Sequence, residues 1–297
     1  MAKSRQERAG RAWRPSLETL GVAGDYGSLA HYADPAYYEK AYARRREDVD
    51  YYVRLAEGSA GDVLEYGVGS GRVALPIARA GRRIVGIDLS EPMLAAFRRR
   101  LRDEPRDVQD RVRLVRGDMR EVRLRRRFAL VIAPFNTVLH LYSRQEVEHF
   151  FGRVRAHLAP GGRFVFDFCV PDLKLLTRDP TRRYGAPRFR DPATGQVVRY
   201  SERFEYDPMR QLLLVWMEFA PVAGGAPWIV PLTHRQFFPE EMAGLLSHSG
   251  FVDQTWFGDF RDESPRRESD WLVVSCRAAR RVPAPRCGFA RTSKCGS

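Results

Sequence analysis

The residues best suited to chemistry in this chain are acids set beside glycines or at the ends of apolar runs. Glu65, Gly67, Gly69 and Gly71 alternate in "DVLEYGVGSGR" (62–72), Asp88 closes "RIVGID" (83–88), and Asp118 closes "RVRLVRGD" (111–118). A dinucleotide-binding turn needs a glycine where Arg72 stands, and a phosphate loop needs a following Gly-Lys-Ser/Thr that is missing. Both absent patterns serve phosphates. What remains is a turn whose bare backbone a ligand can touch, with an acid, Glu65, suited to a positive end such as an amino acid's ammonium. An acid at the end of a second parallel strand takes ribose hydroxyls, the position of Asp88. Asp118 is placed to accept from an adenine amino group. Together the acids describe a ligand with a ribose, an adenine and an amino-acid arm, and without a pyrophosphate. Taken singly, Asp88 and Asp118 read equally well as helix-capping or turn residues.

Such acids need strand ends to carry them, and the chain supplies strands and helices in alternation. "DVLEY" (62–66), "RIVGID", "RVRLVRGD", "FALVIAPF" (128–135) and "PGGRFVFDFCV" (160–170) read as strands. The fourth is continuously apolar, as a buried parallel strand is. Between them fall a helix after Gly71, bent by Pro76 through one lost interior hydrogen bond, a helix capped by Ser90 with Glu91 and Pro92 in its first turn, and a helix over about 144–158. This βαβ alternation predicts a parallel sheet with helices on both faces. Before it, residues 25–57 are helical and tyrosine-rich, with Tyr38, Tyr42, Val49, Tyr52 and Val53 at helical spacing. After Pro171 the pattern changes. Residues 171–195 read as proline-rich and irregular; "VVRYSERFEYD", "QLLLVWMEFAP" and "WIVPLTHRQFF" then read as three strands without intervening helices. A last helix opens at Pro239 and ends at Gly250, and "FVDQTWFGDF" with "DWLVVSCR" reads as a closing hairpin. Residues 1–24 and 279–297 are expected to be a disordered leader and tail.

Composition narrows the class. Of 297 residues, 44% are hydrophobic and 29% charged, which fits a globular protein with a core. No apolar run approaches the roughly 20 residues of a membrane span, and the N-terminus has no secretory core. The net charge of +13 raises nucleic acid as a partner. Arginine supplies nearly all of it, lysine occurring only at Lys3, Lys40, Lys174 and Lys294, and the arginine runs 44–46, 98–100 and 125–127 are scattered. That distribution argues for coding bias over phosphate contacts. Cys169 and Cys276 lie in strand-like runs and read as core, and no CxxC pair offers a zinc site. The usage fits a reducing cytoplasm.

With these residues in register, the chain resembles the class I S-adenosylmethionine-dependent methyltransferases. The glycine motif, "GIDLSEPML", "VRGDMREVRL" and "HLAPGGRFVFDF" follow that family's order and spacing over about residues 30–278. The resemblance implies an α/β, Rossmann-like doubly wound, mostly parallel seven-stranded sheet, with an N-terminal lid helix (25–61), a cofactor-binding core (62–170), an antiparallel β insertion after the fifth strand (171–236) and a C-terminal helix and hairpin (237–278). It implies S-adenosyl-L-methionine as cofactor. By position, Glu65 lies near the methionine ammonium and Gly67, Gly69 and Gly71 flank the amino-acid arm. Asp88 binds the ribose hydroxyls, Leu89 and Met93 pack on the adenine, and Asp118 reads the adenine amine beside Met119. Pro134 lies near the transferable methyl, and Tyr38 matches a lid tyrosine near the cofactor carboxylate or the substrate. Met93 and Tyr38 read equally well as core residues.

The acceptor side departs from one branch of the family. Nucleic-acid and protein amide N-methyltransferases carry Asn/Asp-Pro-Pro-Tyr/Phe/Trp after the fourth strand; this chain has Ala133-Pro134-Phe135-Asn136. His140 follows, a candidate general base that reads also as a hydrogen-bonded structural histidine. His234 and Tyr200 are weaker candidates. The tyrosine-rich lid and the β insertion resemble amino-sugar N,N-dimethyltransferases and glycine-type N-methyltransferases. The expectation is a cytoplasmic enzyme, monomer or homodimer, that methylates N or O of a small molecule. An RNA methyltransferase and a non-catalytic S-adenosylmethionine-binding protein are the alternatives.

Overall fold

The computed structural model describes residues 28–279; the leader expected over 1–24 and nearly all of the tail expected over 279–297 lie outside them. Three short helices come first: α1 (Ser28–His31), α2 (Pro35–Tyr42) and α3 (Glu47–Glu57). The expected lid helix is therefore broken. Asp34 caps α2, accepting from Tyr37 N at 3.0 Å with Pro35 at the first helical position, where proline costs no hydrogen bond.

The core alternates as its pattern predicts. β1 (Val63–Tyr66), α4 (Ala74–Arg79), β2 (Ile84–Asp88), α5 (Glu91–Arg102), α6 (Arg106–Gln109), β3 (Val112–Arg116), β4 (Phe128–Ala133), a 3-10 turn (Thr137–His140), α7 (Arg144–His157) and β5 (Leu158–Cys169) run in order. Ser90 caps α5 through Met93 N, and Ser143 with Glu146 forms a reciprocal capping box on α7. Two expectations need correction. Pro76 lies in the first turn of a six-residue α4, between i→i−4 bonds from Leu75 N to Gly71 O and from Ile77 N to Val73 O, so the bond it forgoes falls at the start of the helix and not in its interior. β5 begins at Leu158, directly after α7, rather than beyond the Pro160 turn.

After α8 (Leu173–Leu176) come β6 (Tyr184–Arg190), β7 (Val197–Asp207), β8 (Leu212–Pro221) and β9 (Trp228–Arg235), then α9 (Pro239–His248), β10 (Phe251–Gly258) and β11 (Trp271–Ala278). β6 lies in the stretch read as irregular. Its sequence, "YGAPRFR", carries a glycine and a proline inside a strand at the edge of its sheet, with a register shift between Ala186 and Phe189, and edges and bulges are where such residues are tolerated.

Two sheets result. The larger has seven strands in the order β10-β11-β5-β4-β1-β2-β3; the smaller is β6-β7-β8-β9. In the larger, β1 to β5 are mutually parallel, while β11 runs antiparallel to both β5 and β10. The C-terminal hairpin thus inserts its second strand next to the core, leaving the first at the edge. Strand residues alternate between two apolar layers. Leu64, Tyr66, Val131 and Phe166 face α7 and α9, whereas Val63, Leu130, Ile132 and Val165 face α3 to α5. The smaller sheet, antiparallel throughout, packs Val198, Met217, Phe219 and Leu232 around Tyr37 of α2, and Leu212, Leu214 and Trp216 around Tyr142.

Candidate active site

A cleft of roughly 1050 Å³, counted to its open mouth, lies over the C-terminal ends of β1 to β4. It occupies the point where strand order reverses, between β1 and β4, the place where open α/β sheets bind ligands. Each strand end contributes two residues: Gly67 and Gly69 after β1, Asp88 and Leu89 at the end of β2, Asp118 and Met119 after β3, Pro134 and Phe135 after β4. Tyr38, Met93 and His140 complete the expected residues on the wall.

Asp88 binds the turns to each other. Its Oδ2 accepts from Gly69 N at 2.7 Å and its Oδ1 from Ser90 N at 2.8 Å. Burial raises the carboxyl above its ordinary range, with the backbone donors opposing. A carboxylate has about four lone-pair sites, so a ligand can still bind it from the cleft. Gly67 and Gly69 adopt left-handed backbone, with φ of 68° and 53°. A Cβ on Gly67 would meet Thr137 Oγ1 at 2.5 Å, and one on Gly69 would meet Met93 Cε at 3.2 Å. The β1 loop therefore touches the β4 loop on one side and Met93 of α5 on the other.

Two of the eleven expected cofactor residues stand elsewhere. Gly71 is off the cleft wall, and its missing Cβ makes room for the ring of Phe97 on α5. Glu65 lies beneath the loop, 2% exposed, with Oε2 lacking any hydrogen-bond partner among the described residues. Burial pushes its carboxyl well above the usual range, opposed by the charge of Arg72. A buried orphan acceptor under a glycine turn is unusual, and it suits a donor arriving from the cleft side.

Asp118 does not wait alone for a partner. Arg120 forks across it, with Nε 2.9 Å from Oδ1 and Nη2 2.6 Å from Oδ2. Burial would raise the Asp118 carboxyl, but this fork holds it below the ordinary range.

At the far end, His140 Nε2 pairs with Tyr32 Oη at 2.8 Å, and its ring lies 5.0 Å from that of His234. Burial lowers the pKa of His140 to about 4, helped by His31, so its ring is neutral near pH 7. His234 thus joins this end through His140. Tyr200 does not: it donates to Glu202 and packs on Phe219 within the smaller sheet.

Sequence reasoning missed a second tier of residues. Phe135 and Asn136 both have left-handed backbone (φ 56° and 62°); strain of this kind persists only where the surroundings impose it. Asp167 imposes it by accepting from Phe135 N at 2.8 Å, while Asn136 Oδ1 accepts from Cys169 N at 2.8 Å. Arg72 pairs with the fully buried Asp48 of α3 and stacks over Phe135, 4.4 Å from the ring centre. No spacing rule joins Arg72 to Asp48, since they meet only through the fold. The Asn in "PFN" was the single available signal, because Asn tolerates left-handed backbone.

The chain is similar in sequence and fold to known methyltransferases. Residues 63–162 match a family model described as a methyltransferase domain. A Streptomyces fradiae protein named dTDP-3-amino-3,6-dideoxy-alpha-D-glucopyranose N,N-dimethyltransferase is 32% identical over 155 residues, 51% of this chain and 58% of its own length. The chain spans about half to three fifths of the length of this relative and of a Streptomyces venezuelae counterpart. Among solved structures, the CcbJ methyltransferase from Streptomyces caelestis superposes with a TM-score of 0.71 at 27% identity, covering 86% of this chain and 98% of that one. The glycopeptide N-methyltransferase MtfA complexed with S-adenosyl-L-methionine gives 0.54 at 25% identity, covering 77% and 86%.

Proposed function

We propose that this chain, which belongs to the class I S-adenosylmethionine-dependent methyltransferases, moves a methyl group to a nitrogen or oxygen atom of a small molecule by in-line displacement. One observation carries the reading: the cleft at the strand-order reversal is lined by two left-handed glycines, the acids Asp88 and Asp118, and Met93, and it ends at a neutral histidine. S-adenosyl-L-methionine supplies, when bound, a methyl on a cationic sulfur. The residues present fit it. Asp88 and Asp118 offer lone pairs to a nucleoside, Leu89 (45% exposed) and Met93 offer apolar faces, and the orphan Oε2 of Glu65 offers an acceptor behind the turn.

The chain's own contribution is placement. Holding two reactants in line is worth roughly 7–11 kcal/mol. The Pro134–Phe135 turn, fixed by Asp167, forms the wall between the two ends of the cleft. Tyr32, directly after α1, and Tyr38 of α2 line the cleft, where such rings would exclude water from a bound substrate. Neutral His140 and the Tyr32 phenol put hydrogen-bonding groups without formal charge at the acceptor end, so a cationic or neutral acceptor meets no repulsion.

Titration calorimetry with S-adenosyl-L-methionine tests the premise. Wild type should bind, and Asp88→Ala should bind at least tenfold more weakly. Absence of binding by wild type would overturn the reading. A labelled-methyl screen over amine, hydroxy-acid and sugar pools then finds the acceptor.

A further inference from the structure

Arg120 has no role in the reading above, yet it is built into the cleft wall more firmly than Asp118 itself. Its backbone N–H and Nε donate to Asp118 Oδ1 at 2.8 and 2.9 Å; Nε and Nη2 donate to Oδ2 at 3.1 and 2.6 Å. Its Nη1 pairs with Glu146 Oε1. Glu146 is spoken for on its other oxygen, Oε2, which accepts from the backbone of Tyr142 and Ser143 at 2.6 and 2.9 Å. Ser143 Oγ closes the capping box by accepting from Glu146 N at 3.2 Å. One guanidinium thus fastens a loop carboxylate after β3 to the first turn of a fourteen-residue helix. Asp118, Arg120 and Tyr142 all face the cleft.

An isolated ion pair at the surface is worth little. This one is different in kind, because a planar fork fixes the plane of the carboxylate as well as its charge. The fork takes the lone pairs along one edge and leaves the others for a ligand.

We propose that Arg120 is a positioning residue: it holds Asp118 in one orientation, anchored on Glu146, and so sets the cleft's selectivity for a base with an exocyclic amino group over one with a carbonyl there. The inference rests on the adenosine reading of the cleft. An ionised carboxylate only accepts, so it bonds an amino group and repels a carbonyl oxygen. Sites built around such a bond reject the wrong partner strongly, because polar groups are then left unpaired. Freed from the fork, Asp118 turns or takes up a proton, and a protonated carboxyl can donate to a carbonyl. Selectivity should therefore fall faster than affinity for the correct base.

The test is calorimetry of S-adenosylhomocysteine and its 6-oxo analogue, S-inosylhomocysteine, against wild type, Arg120→Gln, Arg120→Lys and Glu146→Gln, with a melting curve of each. Wild type should prefer the adenine form by about a hundredfold or more. Arg120→Gln should cut that preference by about tenfold. Arg120→Lys restores charge without the fork and should fall between the two, and Glu146→Gln should lose less than Arg120→Gln. A purely structural role would weaken both ligands alike; that result, or an unchanged preference in Arg120→Gln, would overturn the proposal. Should Arg120→Gln not fold, Arg120→Lys and Glu146→Gln carry the same comparison. Failure of wild type to bind either ligand strikes the cofactor reading instead, so the two failures are distinguishable.

Discussion

Replacing Gly71 by alanine separates a cofactor-contacting role from a packing role. The residue has φ of +81°, and an added Cβ would stand 2.4 to 2.6 Å from three ring atoms of Phe97. The backbone term for a left-handed alanine is roughly 1–2 kcal/mol. Phe97 is fully buried and cannot swing aside, so overpacking adds about 1–3 kcal/mol. The sum is roughly 2–5 kcal/mol. At about 2–4 °C per kcal/mol for a domain of this size, Gly71→Ala should melt on the order of 10 °C below wild type. Phe97→Leu removes the colliding ring atoms but leaves φ unchanged. Alone it should cost on the order of 1–2 kcal/mol as a large-to-small change. Urea unfolding of wild type, both single variants and the double variant completes a cycle. The double variant should be more stable than the sum of the singles by about 1–3 kcal/mol, the steric share. Additive costs, or a Gly71→Ala protein as stable as wild type, would refute the packing account and return Gly71 to the ligand.

Three further outcomes follow from the same geometry. Arg72→Met leaves Asp48, which is 0% exposed, buried without its partner; this should cost about 3–5 kcal/mol in urea unfolding, and a loss under about 1 kcal/mol would contradict the pairing. Asp88→Asn should bind S-adenosyl-L-methionine about tenfold more weakly and Asp88→Ala more weakly still, since each charge-assisted bond is worth about 1.5–3 kcal/mol; equal affinity of wild type and Asp88→Ala by calorimetry would remove Asp88 from the site. Burial holds the folded pKa of His140 at about 4, below the ordinary value of 6.5. As pH falls, the unfolded chain takes up this proton first, so the stability tied to this residue is intact above about 6.5 and drains away between about 6.5 and 4. NMR of imidazole-labelled protein should show no His140 transition above about pH 5, and a midpoint near 6.5 would refute the burial argument.

Much of the site was legible because strand ends are legible. Apolar runs closed by an acid or a glycine mark where a parallel strand meets its loop, and those ends gather at one edge of the sheet. Asp88, Asp118, Gly67, Gly69 and Pro134 reach the cleft for that reason. Gly71 did not follow, although its spacing is the same, because the chain has already begun turning toward α4 and meets Phe97. Periodicity also failed at β6, where a proline and a glycine inside an edge strand imitate a loop.

By itself the sequence determined the order of strands and helices, the glycine turn and the acids at strand ends, all matters of local pattern and spacing. Only the tertiary structure decided which of those groups are engaged. Arg120 turns Asp118 from a solitary acid into one half of a fork, Arg72 finds Asp48 across 24 residues, and Tyr32 meets His140 across 108. The physical reason is one of range. Backbone geometry and apolar periodicity are set within a few residues, whereas a buried charge or imidazole takes its state from whatever the fold brings within hydrogen-bond reach.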